Sequence, residues 1–213
     1  MAKRIFITAT NTEIGKTYTT VRLMRAFSEM GFNVGVVKPI ETGVEDTPAD
    51  GALLLQELKR LNPKAWAMDI DDVVPVQMAL PAAPFVAKGV SSIDWHAIDT
   101  AVEAMDAVCD VCLIEGAGGL LVPVDETYDM IDMIRRFHAK ALLVSHCRLG
   151  CINDLRLSLE ALRSRGLPHE WVLNCREEDD GFEKTSLPYF EKTFAQWYLL
   201  QRDLEQLCDA LLL

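Results

Sequence analysis

Nine residues near the start of the chain, Ala9-Thr10-Asn11-Thr12-Glu13-Ile14-Gly15-Lys16-Thr17, restrict its fold more than any other feature. They stand between a short apolar, β-branched run, RIFIT at 4–8, and a segment from Thr17 to Met30 with Val21, Met24 and Phe27 at helical spacing. A strand that feeds a helix through a loop ending Gly-Lys-Thr is a variant of the phosphate-loop pattern, here with one extra residue and with Ala9 in place of the first glycine. The backbone N–H groups of Glu13, Ile14, Gly15, Lys16 and Thr17 lie at a helix N-terminus, so they can converge on phosphate oxygens where the helix dipole also favours negative charge. Gly15 keeps the turn clear of a side chain, and Lys16 adds a point charge for the β- and γ-phosphates. Thr17 presents a hydroxyl where Mg²⁺ bridges them. Tyr18, the next residue, is counted with the nucleotide contacts.

The rest of the chain repeats the strand-and-helix theme. Gly31 stops the first helix, and Asn33 to Val37 reads as a second buried strand, ended by Lys38 and Pro39. Residues 50–61 read as helix, and Pro75, Pro81 and Pro84 then interrupt regular structure, which predicts a substrate-side loop with a short helix over 62–93. Asp94 caps a helix to Ala107, and DVCLI at 110–114 is a buried strand delivered into Glu115 and Gly116. ALLVS at 141–145 and EWVL at 170–173 are further strands, with a helix from Asn153 to Arg165 between them; Leu200, Leu204, Leu207 and Leu211 form the stripe of a last helix. Strands that are apolar throughout and alternate with helices predict one α/β domain over 1–213, a mostly parallel sheet flanked by helices on both faces. Ligands in such sheets bind beyond the carboxyl ends of the strands, so Lys38, Glu115, Ser145 and Asn174 are expected on one rim.

That rim carries candidate chemistry. Mg²⁺ takes one or two carboxylates with phosphate oxygens and water, and two acids are placed for it, Glu115 at a strand end and Asp50 at the start of the second helix, where it can equally cap that helix. Gly116-Ala117-Gly118-Gly119 reads as a flexible run whose backbone can pack against phosphate or substrate. Lys38 is aimed at the nucleotide rather than bulk water, and Thr42 with Gly43 continues a turn towards a substrate. Asp69, Asp71 and Asp72 read as a solvated loop, and His146, the one histidine near the rim, as structural.

The formal net charge of −11 offers no basic face for a nucleic acid. No apolar run reaches the ~18 residues that cross a bilayer and no export signal is evident, so a cytoplasmic chain with no membrane partner is expected. Its six cysteines are therefore expected as free thiols. Cys109 and Cys112 form a CxxC without a second pair at zinc spacing and read as buried strand residues.

Four segments, TNTEIGKT at 10–17, KPIETG at 38–43, EGAGGLLVP at 115–123 and RLGCIND at 148–154, together spanning about two-thirds of the chain, resemble the dethiobiotin synthetase family. The resemblance implies a homodimeric, P-loop NTPase-like enzyme that converts diaminopelargonic acid, CO₂ and ATP to dethiobiotin, ADP and phosphate through a carbamate. It implies Thr17, Asp50 and Glu115 as Mg²⁺ ligands, Lys16 as phosphate clamp and Lys38 as the catalytic lysine near the carbamate. Gly116, Ala117 and Gly118 fall among the nucleotide contacts, and Thr42 with the amide of Gly118 among those to substrate. Gly150, Cys151, Ile152 and Asn153, at a helix N-terminus, would receive the substrate carboxylate across the dimer interface, and Asn174 would meet adenine. An acidic run at 177–180 follows Asn174, and the expectation there is ATP use with adenine held loosely. The alternatives are amidating relatives, which need a glutaminase unit that does not fit in 213 residues, and a partitioning-type ATPase switch that recruits protein partners, whose loop carries a lysine near its start where this chain has Thr10 and Asn11.

Overall fold

The computed structural model describes residues 2–176, 179 and 181–213, so most of the acidic run at 177–180 lies outside the described residues. In chain order the elements are β1 (Lys3–Ala9), α1 (Lys16–Glu29), β2 (Val34–Val37), β3 (Ile40–Thr42), α2 (Ala49–Leu61), a 3₁₀ turn (Pro63–Ala65), α3 (Ile70–Val73), β4 (Val76–Met78), α4 (Pro84–Ala87) and α5 (Trp95–Asp106). Then come β5 (Val111–Gly119), α6 (Asp132–Arg136), β6 (Lys140–Ser145), α7 (Cys151–Ser164), β7 (His169–Leu173), α8 (Phe182–Thr185), α9 (Leu187–Thr193), β8 (Tyr198–Leu199) and α10 (Leu204–Leu212).

The main sheet runs β2-β5-β1-β6-β7-β8 with every neighbouring pair parallel. Ile5, Phe6 and Ile7 are all fully buried, as are Leu142, Leu143 and Val144. Successive residues of a strand face opposite sides, so burial without alternation means that both faces of the sheet are covered. The predicted strands and long helices all form, and apart from the end of β5 and the start of α10 they lie within a residue or two of their expected limits.

Four readings need correction. The glycines at 116–119 are not a flexible run but the last part of β5, held by pairing with β1 as far as Ala9↔Gly119. Residues 62–93 hold more than a loop with one helix: β4 pairs with β3 in a separate two-stranded parallel sheet, and Asp69 accepts from the Asp71 and Asp72 amides while Asp72 accepts from the Asp69 amide, a capping box for α3. Leu200 is buried ahead of α10, not on it. Cys147 and Cys175 are joined in a disulfide, against the expectation of free thiols, while Cys109, Cys112, Cys151 and Cys208 are free.

Candidate active site

The charged centre of the molecule is Lys38. It follows β2 directly, and its backbone N–H donates to the carbonyl of Val73 at 2.7 Å, so the end of α3 fixes where the side chain starts. That side chain is 5% exposed, and its Nζ donates to Asp50 Oδ2 at 2.6 Å and to Glu115 Oε1 at 2.8 Å. Glu115 lies within β5 and is fully buried. Its Oε1 also accepts from Thr17 Oγ1 at 2.8 Å, and its Oε2 from Thr20 Oγ1 at 2.6 Å. A buried carboxylate is tolerated because three donors, one of them a cation, satisfy it. Thr20 was not foreseen; its place one turn beyond Thr17, on the same face of α1, was the available signal.

Burial pulls the Lys38 ammonium towards its neutral form, but the charges of Glu115 and Asp50, with hydrogen bonds to both, prevail and hold its pKa above the ordinary lysine value. Burial likewise works to raise the Asp50 carboxyl, and Lys38 holds it below the usual carboxylate range. Lys16 is different. Loss of water brings its pKa down to about 8, with Lys38 pushing the same way and Glu115 and Asp50 opposing.

Asp50 does not cap α2. The N-cap is Pro48, and Glu41, on β3, reaches across to accept from the amides of Asp50 at 3.0 Å and Gly51 at 2.9 Å. Burial pushes the Glu41 carboxyl up. Glu41 thus sets the start of α2 and leaves the Asp50 carboxylate to Lys38; its place inside KPIETG was visible in sequence, but its partners nine and ten residues on were not.

Lys16, Thr17, Lys38, Thr42, Asp50, Ala117 and Gly118, all singled out in sequence, line one cavity of about 470 Å³ with Thr12, Glu13, Gly15, Glu41 and Arg176. Beside it lies a second cavity of about 420 Å³ that shares Thr12, Thr42, Ala117 and Gly118 and is otherwise walled by Pro81, Ala82, Ala83, Pro84 and Val122. Gly15 is required twice over: its φ is +95°, and a Cβ there would meet Asn174 Nδ2 at 2.4 Å.

Other predicted residues stand apart from this cavity. Gly116 packs against the Phe6 ring, and Ile14 is buried with its carbonyl accepting from Asn174 Nδ2 at 2.9 Å. Tyr18 is half exposed and its hydroxyl accepts from Arg22 on the surface of α1, which leaves only its backbone to face the loop. Asn174 is 3% exposed and its amide is spent on Ile14 and on Gln201, whose Nε2 donates to Asn174 Oδ1 at 3.0 Å. Gly150, Ile152 and Asn153 line a separate cavity of about 800 Å³ with Leu149, Arg156 and Leu157, and Cys151 is buried beneath it. Ser145 reaches the rim, but among the described residues its buried Oγ has no hydrogen-bond partner, nor has His146 Nδ1; His146 Nε2 lies 3.1 Å from Asp154 Oδ2.

Of the CxxC pair, Cys112 is buried in β5 whereas Cys109 is half-buried just before it. With Asp106 they bring three ligating atoms within 4.8 Å of one another, the one such group found among the described residues. Arg4 donates to Asp106 at 2.8 Å, so this carboxylate is already paired.

A family profile described as an AAA domain matches residues 3–201. The chain is similar to the ATP-dependent dethiobiotin synthetase BioD of Sulfurovum sp. (strain NBC37-1), at 39% identity over 207 residues covering 97% of this chain and 99% of that protein. It is also similar to the ATP-dependent dethiobiotin synthetase BioD of Wolinella succinogenes, at 37% identity over 213 residues, 99% of this chain and 98% of that one. Among solved structures, a plasmid partition protein from Borrelia burgdorferi has a TM-score of 0.57 at 13% identity, covering 99% of this chain and 96% of that chain, a likeness of fold alone.

Proposed function

The chain belongs to the dethiobiotin synthetase family, and from that membership we propose that it is an ATP-dependent ligase of biotin biosynthesis that closes the ureido ring of dethiobiotin from diaminopelargonic acid and CO₂, with MgATP at the phosphate loop. The observation that carries the reading is that Lys16, Thr17, Lys38 and Asp50 line one cavity, with Lys38 and Thr17 both hydrogen-bonded to the buried Glu115 behind its wall. One substrate amine adds to CO₂ and loses a proton to give a carbamate. A carbamate oxygen attacks the γ-phosphorus and ADP leaves; the neighbouring amine then attacks the carbonyl carbon of the mixed anhydride, and phosphate leaves as the ring closes.

Carbamate and triphosphate are both anionic, so the approach of one to the other needs fixed positive charge in a site poor in water. Lys38, whose pKa Glu115 and Asp50 hold up in the ligand-free protein, supplies such a charge. Lys16 gains its proton firmly when phosphate oxygens reach it. Thr17, Asp50 and Glu115 are hard oxygen donors that a cation, the Lys38 ammonium, already draws together, so they fit Mg²⁺, which when bound would neutralise charge on the transferring phosphoryl group.

The adjoining cavity, walled by Pro81–Pro84 and Val122, suits the methylene chain of the substrate, and Thr42 stands where the two cavities meet. The substrate carboxylate would lie at the N-terminus of α7 from a second subunit. Support for a homodimer is an apolar face on which Leu121, Leu149 and Leu157 are 56%, 87% and 64% exposed beside that terminus. Incubating the protein with MgATP, bicarbonate and diaminopelargonic acid, and detecting dethiobiotin by mass, tests the reading. Absence of product with nucleotide binding intact would reject it in favour of a partitioning-type switch, which ignores a diamine.

A further inference from the structure

Arg176 lies outside every motif that resembles the family, yet it lines the nucleotide cavity. Its guanidinium donates to the carbonyl of Glu13, while Asn174, two residues earlier, donates to the carbonyl of Ile14. Two consecutive carbonyls of the phosphate loop are therefore gripped from one short segment. In a trans peptide the N–H of the next residue points opposite to the carbonyl, so holding these carbonyls outward aims the N–H groups of Ile14 and Gly15 the other way, towards the phosphates. Glu13 also has φ of 60°, a left-handed conformation that a non-glycine residue keeps only when held.

Between the two gripping residues sits Cys175, bonded to Cys147 just beyond β6. The Asn174 amide extends the β6–β7 ladder to Ser145, and Gln201 Nε2 donates to the Cys175 carbonyl at 2.7 Å. Resting on the nucleotide reading above, we infer that Arg176 is a positioning residue for the phosphate loop and that the Cys147–Cys175 disulfide keeps it in place, so that nucleotide affinity falls when the bond is reduced. Cys175 is half-buried, open to a small dithiol. Two-step exchange would transfer the dithiol's two hydrogens to Cys147 and Cys175 and leave the dithiol as a cyclic disulfide.

The test is binding of the β,γ-imido analogue of ATP with Mg²⁺ to the whole protein, oxidised and after dithiol, for wild type, Arg176→Ala and Cys175→Ser, with thiols titrated in denaturant. Reduction should raise the count from the four free cysteines to all six and weaken wild-type binding about tenfold, the weight of one charge-assisted hydrogen bond. Arg176→Ala should lose a similar factor while oxidised and almost nothing more on reduction, and Cys175→Ser should match reduced wild type. In turnover the KM for ATP should rise with kcat nearly unchanged, a split that general loss of structure would not give. Unchanged affinity on gaining two thiols, six thiols before reduction, or wild-type affinity in oxidised Arg176→Ala would each overturn the inference. Failure of oxidised wild type to bind the analogue would overturn the nucleotide reading with it.

Discussion

At the amino ends of the strands, charges are paired off. Arg4 donates to Asp106 and to the carbonyl of Phe137; Lys3 and Lys140 donate to the carbonyls of Leu212 and Ala210, in the last turn of α10; Asp110 accepts from both the backbone and the side chain of Asn33. At the carboxyl ends they are crowded. Lys38 is shared by two carboxylates, Glu115 by three donors, Lys16 is stripped of water, and the Oγ of Ser145 is buried without a partner among the described residues. One edge is complete as folded, while the other has polar groups in excess of what the fold needs, the condition expected where a charged ligand finishes the electrostatics.

Substitutions sharpen this contrast. Lys38→Ala should lower the rate of dethiobiotin formation by about 10²–10³-fold or more, the weight of a positioned donor in a dry site, as read by initial rates at saturating substrate. Arg4→Ala at the opposite edge should leave the rate per folded molecule unchanged but cost about 3 kcal/mol in denaturant melts, since Asp106 is left buried and unpaired. A rate change in the second variant would break the division between the edges.

Lys16→Met should abolish nucleotide binding and yet raise the stability of magnesium-free apo-protein by about 1 kcal/mol, because a desolvated cation is removed. With a folded pKa of about 8 against 10.5 for the free side chain, the folded apo-protein binds this proton less tightly than the unfolded chain. Stability of the wild type therefore rises with pH over that window, and the advantage of Lys16→Met should be full below pH 8 and shrink above it. An advantage independent of pH would show that something other than desolvation was relieved. The smallest effect belongs to Asp110→Ala. The Asn33 amide and side chain hold the Asp110 carboxyl below 3.8, so the contribution is present above that value and lost as pH falls through the lowered folded pKa, and the gap in melting temperature from wild type should close there.

Much of this was legible because the signals are local. The phosphate loop is written in nine consecutive residues, and the long strands and helices in apolar runs and spacing that need no partner to be recognised. Lys38 and Glu115 could be brought together from sequence because strand ends of a parallel sheet share a rim, and Asp50, at the start of a helix, joined them through the family resemblance. What stayed hidden is pairwise and distant. β3 and β4 have three residues each and exist through one another. Cys147 and Cys175 pair across a gap of 28 residues that no local signal bridges, where free thiols were expected. Arg176 reaches Glu13, and the stretch 116–119 stays in the strand through a shift of register against Ile7–Ala9 of β1 that no local signal announces.

The strand order also dictates a timetable. β1 leaves the ribosome ahead of both strands it pairs with, yet it lies in the interior of the sheet between β5 and β6, and its partners Val111 and Lys140 are made more than 100 residues later. At the roughly 5–20 residues per second of synthesis, Ile5, Phe6 and Ile7 wait several seconds or longer with both hydrogen-bonding edges unclaimed. The nucleotide loop hangs from the end of that waiting strand, so the nascent protein cannot draw on its ligand for help until most of the chain has emerged, and a message cut short before β6 yields a sticky fragment rather than a weak enzyme.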